Sequence, residues 1–227
     1  MLKLIRLEMH KNKFNFLKAF LITDLAILLF MVLLVGIDDT NEFSTYAAVL
    51  DSMHIFIKVA FMIFGSVLIS KLVIDEYKNN TVTVLFMYPI PRKKLMAAKL
   101  IIVFLFILIT IFVSNVLISA ALVGFNHVFK EAITGEVTLK LITSQISIAA
   151  SDAVYSAGIG LIPLFFGLRK KSVPATIVSA VLIASVLSSG FDSFRLGDQV
   201  GVSLILGLVG VVIAFLTIRN IEHQDIA

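Results

Sequence analysis

Residues Leu100–Val123 read LIIVFLFILITIFVSNVLISAALV, 24 consecutive positions without a charged side chain. A helix needs ~20 mostly apolar residues to cross the hydrocarbon core of a bilayer, and this run supplies them. The surrounding chain has the same character. Of its 227 residues 59% are hydrophobic and 15% charged, whereas soluble domains run near ~45–50% and ~25%. With a mean hydropathy of +1.04, the apolar surface exceeds what one water-soluble core can bury, so lipid is expected to solvate much of it.

Working outward from that run, five further stretches pass the same length test: Ala19–Ile37, Ile55–Ile74, Ser144–Leu168, Val173–Ser189 and Val200–Ile218. The expected fold is all-α, a single polytopic domain of six transmembrane helices over residues 1–227. The six stretches sum to 124 residues and leave 103 for every loop and tail, too few for a separate catalytic domain of ordinary size. Val173–Ser189 is the shortest, and Pro174 sits near its start, where a proline is tolerated. It is counted as a full crossing, with a re-entrant hairpin as the alternative. Cysteine is absent, which removes disulfides and thiolate chemistry. No cleavable signal peptide is expected, because Gly36-Ile37-Asp38-Asp39 makes a poor cleavage site.

Charge orients the helices. With the N-terminus inside, fifteen of the nineteen basic residues fall on the cytoplasmic side, in clusters such as Lys11–Lys18, Arg92–Lys94 and Arg169–Lys171. Lys130, Lys140 and Arg195 fall outside, and Lys58 within the second stretch. This obeys the positive-inside rule and places both termini in the cytoplasm of a plasma-membrane protein. The net charge of +4 therefore speaks for topology and anionic lipid, not for nucleic acid. Residues 2–18 read as an interfacial amphipathic helix with Leu2, Ile5, Met9 and Phe16 on one strip. Asp38, Asp39, Glu42 and Asp51 form an acidic outer loop that lacks the spacing of a Ca²⁺ site, so no metal is expected.

The inner loop at 75–94, between the second and third stretches, is the most structured in pattern. Asp75 and Glu76 open it, Val82–Met87 is apolar, Pro89 and Pro91 stop it, and Arg92-Lys93-Lys94 leads back to the membrane. Such a segment is a short helix along the cytoplasmic surface, with Leu85 and Phe86 too apolar to face water alone. It either docks a protein partner or is a lipid-facing connector. Its order of residues resembles the corresponding loop of the ABC-2 family of ATP-binding-cassette permeases: Glu76, Asn80, Thr81, Pro89, Arg92 and Lys99 match in sequence and approximate spacing. Asn80 stands where the family usually has glycine.

The resemblance implies that 75–94 holds the coupling helix, with Glu76, Tyr77, Asn80, Thr81, Leu85, Phe86, Pro89 and Arg92 meeting a separate cytoplasmic ATPase. It also implies a second permease subunit, identical or not, and ATP and Mg held by the ATPase. This chain itself would bind no cofactor and catalyse nothing. Direct reading agrees, since no phosphate-binding Gly-x-x-x-x-Gly-Lys-Ser/Thr loop is present. The implied function is export, with amphipathic or antimicrobial peptides, drugs or lipids as cargo by analogy.

Three charges fall inside the predicted crossings: Asp24, Lys58 and Asp152. Ser144, Gln145, Ser147, Ser151, Tyr155 and Ser156 surround Asp152 as a polar stripe, expected to face a cavity, a neighbouring helix or a dimer axis. Asp152 and Lys58 either pair or snorkel separately. Together with Ser151 and Tyr155 these residues are the candidates for a translocation path. If instead they relay ions, the chain is a secondary transporter or channel. Small residues four apart, such as Ser156/Gly160, Ser203/Gly207 and Gly210/Ala214, let helices approach closely, between subunits or within one. His10, His54, His127 and His223 are placed at or beyond helix ends, which leaves an intramembrane enzyme without its paired catalytic groups.

Overall fold

A computed structural model of the chain describes residues 16–37, 45–78, 92–129, 139–191 and 194–220. These are nearly all helical. The helices are α1 (Phe16–Ile37), α2 (Tyr46–Ile69), α3 (Arg92–Phe129), α4 (Leu139–Ile159), α5 (Pro163–Lys170), α6 (Val173–Ser188) and α7 (Val200–Asn220). A two-residue antiparallel pair, β1 (Gly190–Phe191) with β2 (Phe194–Arg195), and a 3₁₀ turn at Leu196–Asp198 link α6 to α7. The proposed interfacial helix at 2–18 lies, up to residue 15, outside the described residues, as does 79–91 of the proposed coupling loop.

Five helical stretches are long and apolar enough to cross a membrane: Leu17–Ile37, Tyr46–Lys78, Lys93–Phe125, Leu141–Lys170 and Val200–Arg219. The chain is a polytopic membrane protein. α6 has 16 residues, a rise of ~24 Å against a hydrocarbon core of ~30 Å.

The helices overrun the expected boundaries where polar residues were taken for loop. α2 begins at Tyr46 rather than Ile55. Thr45 opens it, its carbonyl accepting from Val49 N at 3.1 Å, and Tyr46, Val49, Leu50, Met53 and Ile57 bury one helical face. α3 begins at Arg92, eight residues before Leu100, so the basic cluster belongs to a helical first turn. α4 starts at Leu139, not Ser144, and it does not run unbroken to Leu168. At Gly160–Ile162 the bonds shorten to i→i−3, with Leu161 N on Gly158 O at 3.0 Å and Ile162 N on Ile159 O at 2.9 Å. Pro163 is the cause, since it has no N–H to continue the ladder and is accommodated as the first residue of α5. α5 closes with Lys171 in the left-handed region at φ 45°, and Ser172 N reaches back to Gly167 O at 3.2 Å.

α2 continues past Ile69 as a π turn, Ser70–Ile74, and ends in one α turn, Asp75–Lys78. Such turns are rare and occur mostly as single insertions within α-helices.

The described helices gather into two compact units. One contains residues 61–108 and 154–227, the other 15–60 and 109–153. In the first, Phe61, Leu68, Ile69, Ile74, Ile107 and Leu164 are fully buried, and Phe64 stacks on Phe106 with centroids 5.2 Å apart. There α4 and α7 meet backbone to backbone: a Cβ on Gly158 would lie 2.8 Å from Gly207 Cα. Gly210 presses equally closely on Gly158 O. The small residues near these positions therefore serve packing inside one subunit. In the second unit Met31, Met53, Ile57, Ile111, Ile118 and Leu122 make the core, and Phe30 meets Phe56 edge-on at 5.1 Å.

Candidate functional site

Two sets of polar side chains stand out against the apolar helices, one in each unit. In the first, Lys99 of α3 is 2% exposed. Its ammonium is satisfied from two sides, pairing with the Glu76 carboxylate and donating to Leu72 O at 2.8 Å. Leu72 lies within the π turn, where the backbone departs from the α ladder. A buried cation costs several kcal/mol unless paired and hydrogen-bonded, and this one is both. Lys99 sits seven residues into α3 and Glu76 two residues before the end of the α2 extension. The contact therefore ties the two helical segments between which residues 79–91 run.

Of the eight residues assigned to coupling, Glu76 and Tyr77 occupy this last turn, both partly buried. Arg92 is the first residue of α3, its side chain outside the described residues together with Asn80, Thr81, Leu85, Phe86 and Pro89.

In the second unit Lys58 Nζ of α2 lies 3.0 Å from Asp152 Oδ2 of α4, at 16% and 15% side-chain exposure. The two residues considered as a pair in the sequence are thus in contact. Asp24 of α1 is buried and accepts a 2.6 Å hydrogen bond from Ser114 Oγ of α3, while its Oδ2 finds no partner among the described residues. The three charges do not converge on one centre: Asp24 belongs to an α1/α3 contact and the other two to an α2/α4 contact.

The polar stripe of α4 is divided in use. Ser144, Ser147 and Ser151 donate to carbonyls of their own helix at 2.8–3.0 Å, and Ser144 and Ser147 are exposed. These hydroxyls are satisfied within their own helix. Gln145 and Asp152 instead reach another helix. Tyr155 belongs to the other unit, where its backbone packs on Gly207.

His54 was missed. It is 4% exposed, inside α2, and its Nε2 lies 2.5 Å from Gln145 Oε1 of α4. Its burial follows from starting α2 at Tyr46: the apolar spacing of Tyr46, Val49, Leu50 and Met53 carries the helix past it and was the signal available.

Helices of this length and apolarity define a polytopic membrane protein. Residues 4–188 match the ABC-2 family transporter proteins, and the chain belongs to that family. It is 39% identical over 228 residues to YcbO of Bacillus subtilis (strain 168), an uncharacterized protein, covering 99% of this chain and 100% of that one. No solved structure matches it.

Proposed function

We propose that the chain is the membrane subunit of an ATP-driven exporter, acting as one of two permease subunits beside a separate cytoplasmic ATPase that binds ATP and Mg. Six crossings with both termini inside are the topology, α6 being the short one. Fifteen of nineteen basic residues fall on one side in that arrangement. The coupling role is assigned to the inner loop at 75–94.

The observation that carries this reading is the Lys99 contact with Glu76 and Leu72 O. A helix docked on an ATPase transmits movement only if its two ends are anchored to the spans they join. Here one buried cation holds both ends together, so a push on 79–91 displaces the end of α2 and the start of α3 as one body. Amphipathic peptides, antimicrobial compounds, drugs or lipids are the cargo classes that small permeases of this family suggest. The test is a mild-detergent pull-down of the full chain from its native membrane. The wild type is expected to bring down a nucleotide-binding subunit, and replacing residues 81–88 by a Gly/Ser stretch to release it. Retention after that replacement sinks the coupling assignment.

A further inference from the structure

Within the second unit α2, α3 and α4 line a cavity of about 360 Å³ that is open on the side where Val116, Ile142 and Ile146 are exposed, in the ~300–1,000 Å³ range of small-molecule sites. Most of its wall is aliphatic, including Val116, Ile146 and Ala149. Four polar side chains interrupt that wall: His54, Asn115, Ser119 and Gln145. No Asp, Glu, Lys or Arg is among its described lining residues.

Two of the four are almost wholly buried and incompletely bonded. His54 and Asn115 are 4% and 2% exposed, and neither His54 Nδ1 nor Asn115 Oδ1 has a hydrogen-bond partner among the described residues. Gln145 Oε1 faces His54 Nε2 at 2.5 Å, and in the tautomer whose Nε2–H donates to it Nδ1 is an acceptor. Asn115 spends Nδ2 on Ile111 O at 2.7 Å, which leaves its amide oxygen. Ser119 spends its proton on Asn115 O at 2.6 Å. The buried polar atoms left over on this wall are therefore both acceptors, and each unmade bond costs ~1–3 kcal/mol in a protein interior.

We propose that this cavity is a binding site, within one subunit, for a small neutral amphiphile: an apolar body carrying one hydrogen-bond donor such as a hydroxyl. The aliphatic wall accepts the body and His54 with Asn115 accepts the donor. A carboxylate or ketone brings only further acceptors, and a cation meets no charge on the wall to offset its desolvation. The site stands whether or not the chain exports.

The test uses the full chain in phosphatidylcholine nanodiscs, photolabelled with a diazirine-bearing octanol and mapped by peptide mass spectrometry. Labelling is expected on the cavity wall, at Val116 or Ile146, saturable and competed at least tenfold better by 1-octanol than by octane. Asn115→Leu is expected to cut that preference about tenfold, the worth of one buried hydrogen bond. Ala149→Phe fills the cavity and abolishes the labelling while the protein still elutes as one species, with Ile146→Phe as the second filling variant should the first not fold. Unsaturable labelling spread equally over outward residues such as Leu29 and Phe215 overturns the site, as do equal competition by octane and survival of the label in the filled variants. A cavity holding water alone gives no label above that at Leu29 and overturns it too.

Discussion

Replacing Asp152 by Asn, with Lys58 retained, removes the carboxylate 3.0 Å from Lys58 Nζ and leaves an ammonium that is 16% exposed without it. At that separation and an effective dielectric constant of ~20 the attraction is ~5–6 kcal/mol. Desolvation of both ions offsets much of it, so the pair itself adds little relative to two apolar residues. The asymmetry gives the prediction: breaking a buried pair costs ~3–5 kcal/mol, while removing both partners costs far less. Asp152→Asn and Lys58→Met should each lower the thermal midpoint, at ~2–4 °C per kcal/mol for a chain of this length. That puts each single variant ~6–20 °C below wild type, and the Lys58→Met/Asp152→Leu double variant within a few degrees of it. The assay is the loss of the monodisperse peak by fluorescence-detected size exclusion after graded heating, read as a double-mutant cycle. Single-variant losses that simply add in the double variant refute the pairing as the source of the effect.

Three further outcomes follow from the geometry. Lys99→Met leaves Glu76 and Leu72 O without their shared donor and should cost ~3 kcal/mol or more, seen in the same heating assay, with Lys99→Arg recovering part of the loss. Gly210→Val drives a side chain into Gly158 O where a Cβ alone already collides. It should destabilise by ~1–3 kcal/mol or more, whereas Gly201→Ala, with open space around it, should change the midpoint by less than about two degrees. Gly65→Ala runs first into Ile107 Cδ1, the end of a side chain that can yield, and Ile107→Val removes that atom, so it should restore a good part of what Gly65→Ala loses.

How far the fold can be read from the sequence depended on what each residue type reports. Uncharged runs such as Leu100–Val123 mark lipid-compatible helix directly, and all the predicted crossings but Val173–Ser189 lie in helical stretches long enough to span. Their ends were harder to read. Hydropathy falls where polar residues begin, but helical hydrogen bonding continues, as through Tyr46–His54 and Arg92–Lys99. The Gly160–Ile162 break was legible in principle from Gly158, Gly160 and Pro163, yet the strong apolar run on both sides masked it. Side-chain partners followed a similar rule. Lys58 and Asp152 could be matched because both lie in the outer half of their helices and a lysine stem reaches inward, whereas the Lys99 contact with Leu72 O depends on a π turn that Ser70-Lys71-Leu72-Val73-Ile74 does not announce. His54 shows the cost of starting α2 at Ile55 instead of Tyr46: a buried, bonded imidazole reads as loop.

The π turn itself acts as a phase shifter. One residue more than an α turn requires rotates everything after it by about 100° relative to everything before. Without that offset the side chain at Glu76 would point a quarter-turn or more away from the α3 face on which Lys99 sits. A single-residue deletion within Ser70–Ile74 would therefore shorten the helix by hardly more than an ångström, yet swing the carboxylate off its cation. At this point the chain is tuned by residue count rather than by residue type, and a relative keeping Glu76 and Lys99 but lacking one residue of the Ser70–Ile74 stretch would have lost the contact.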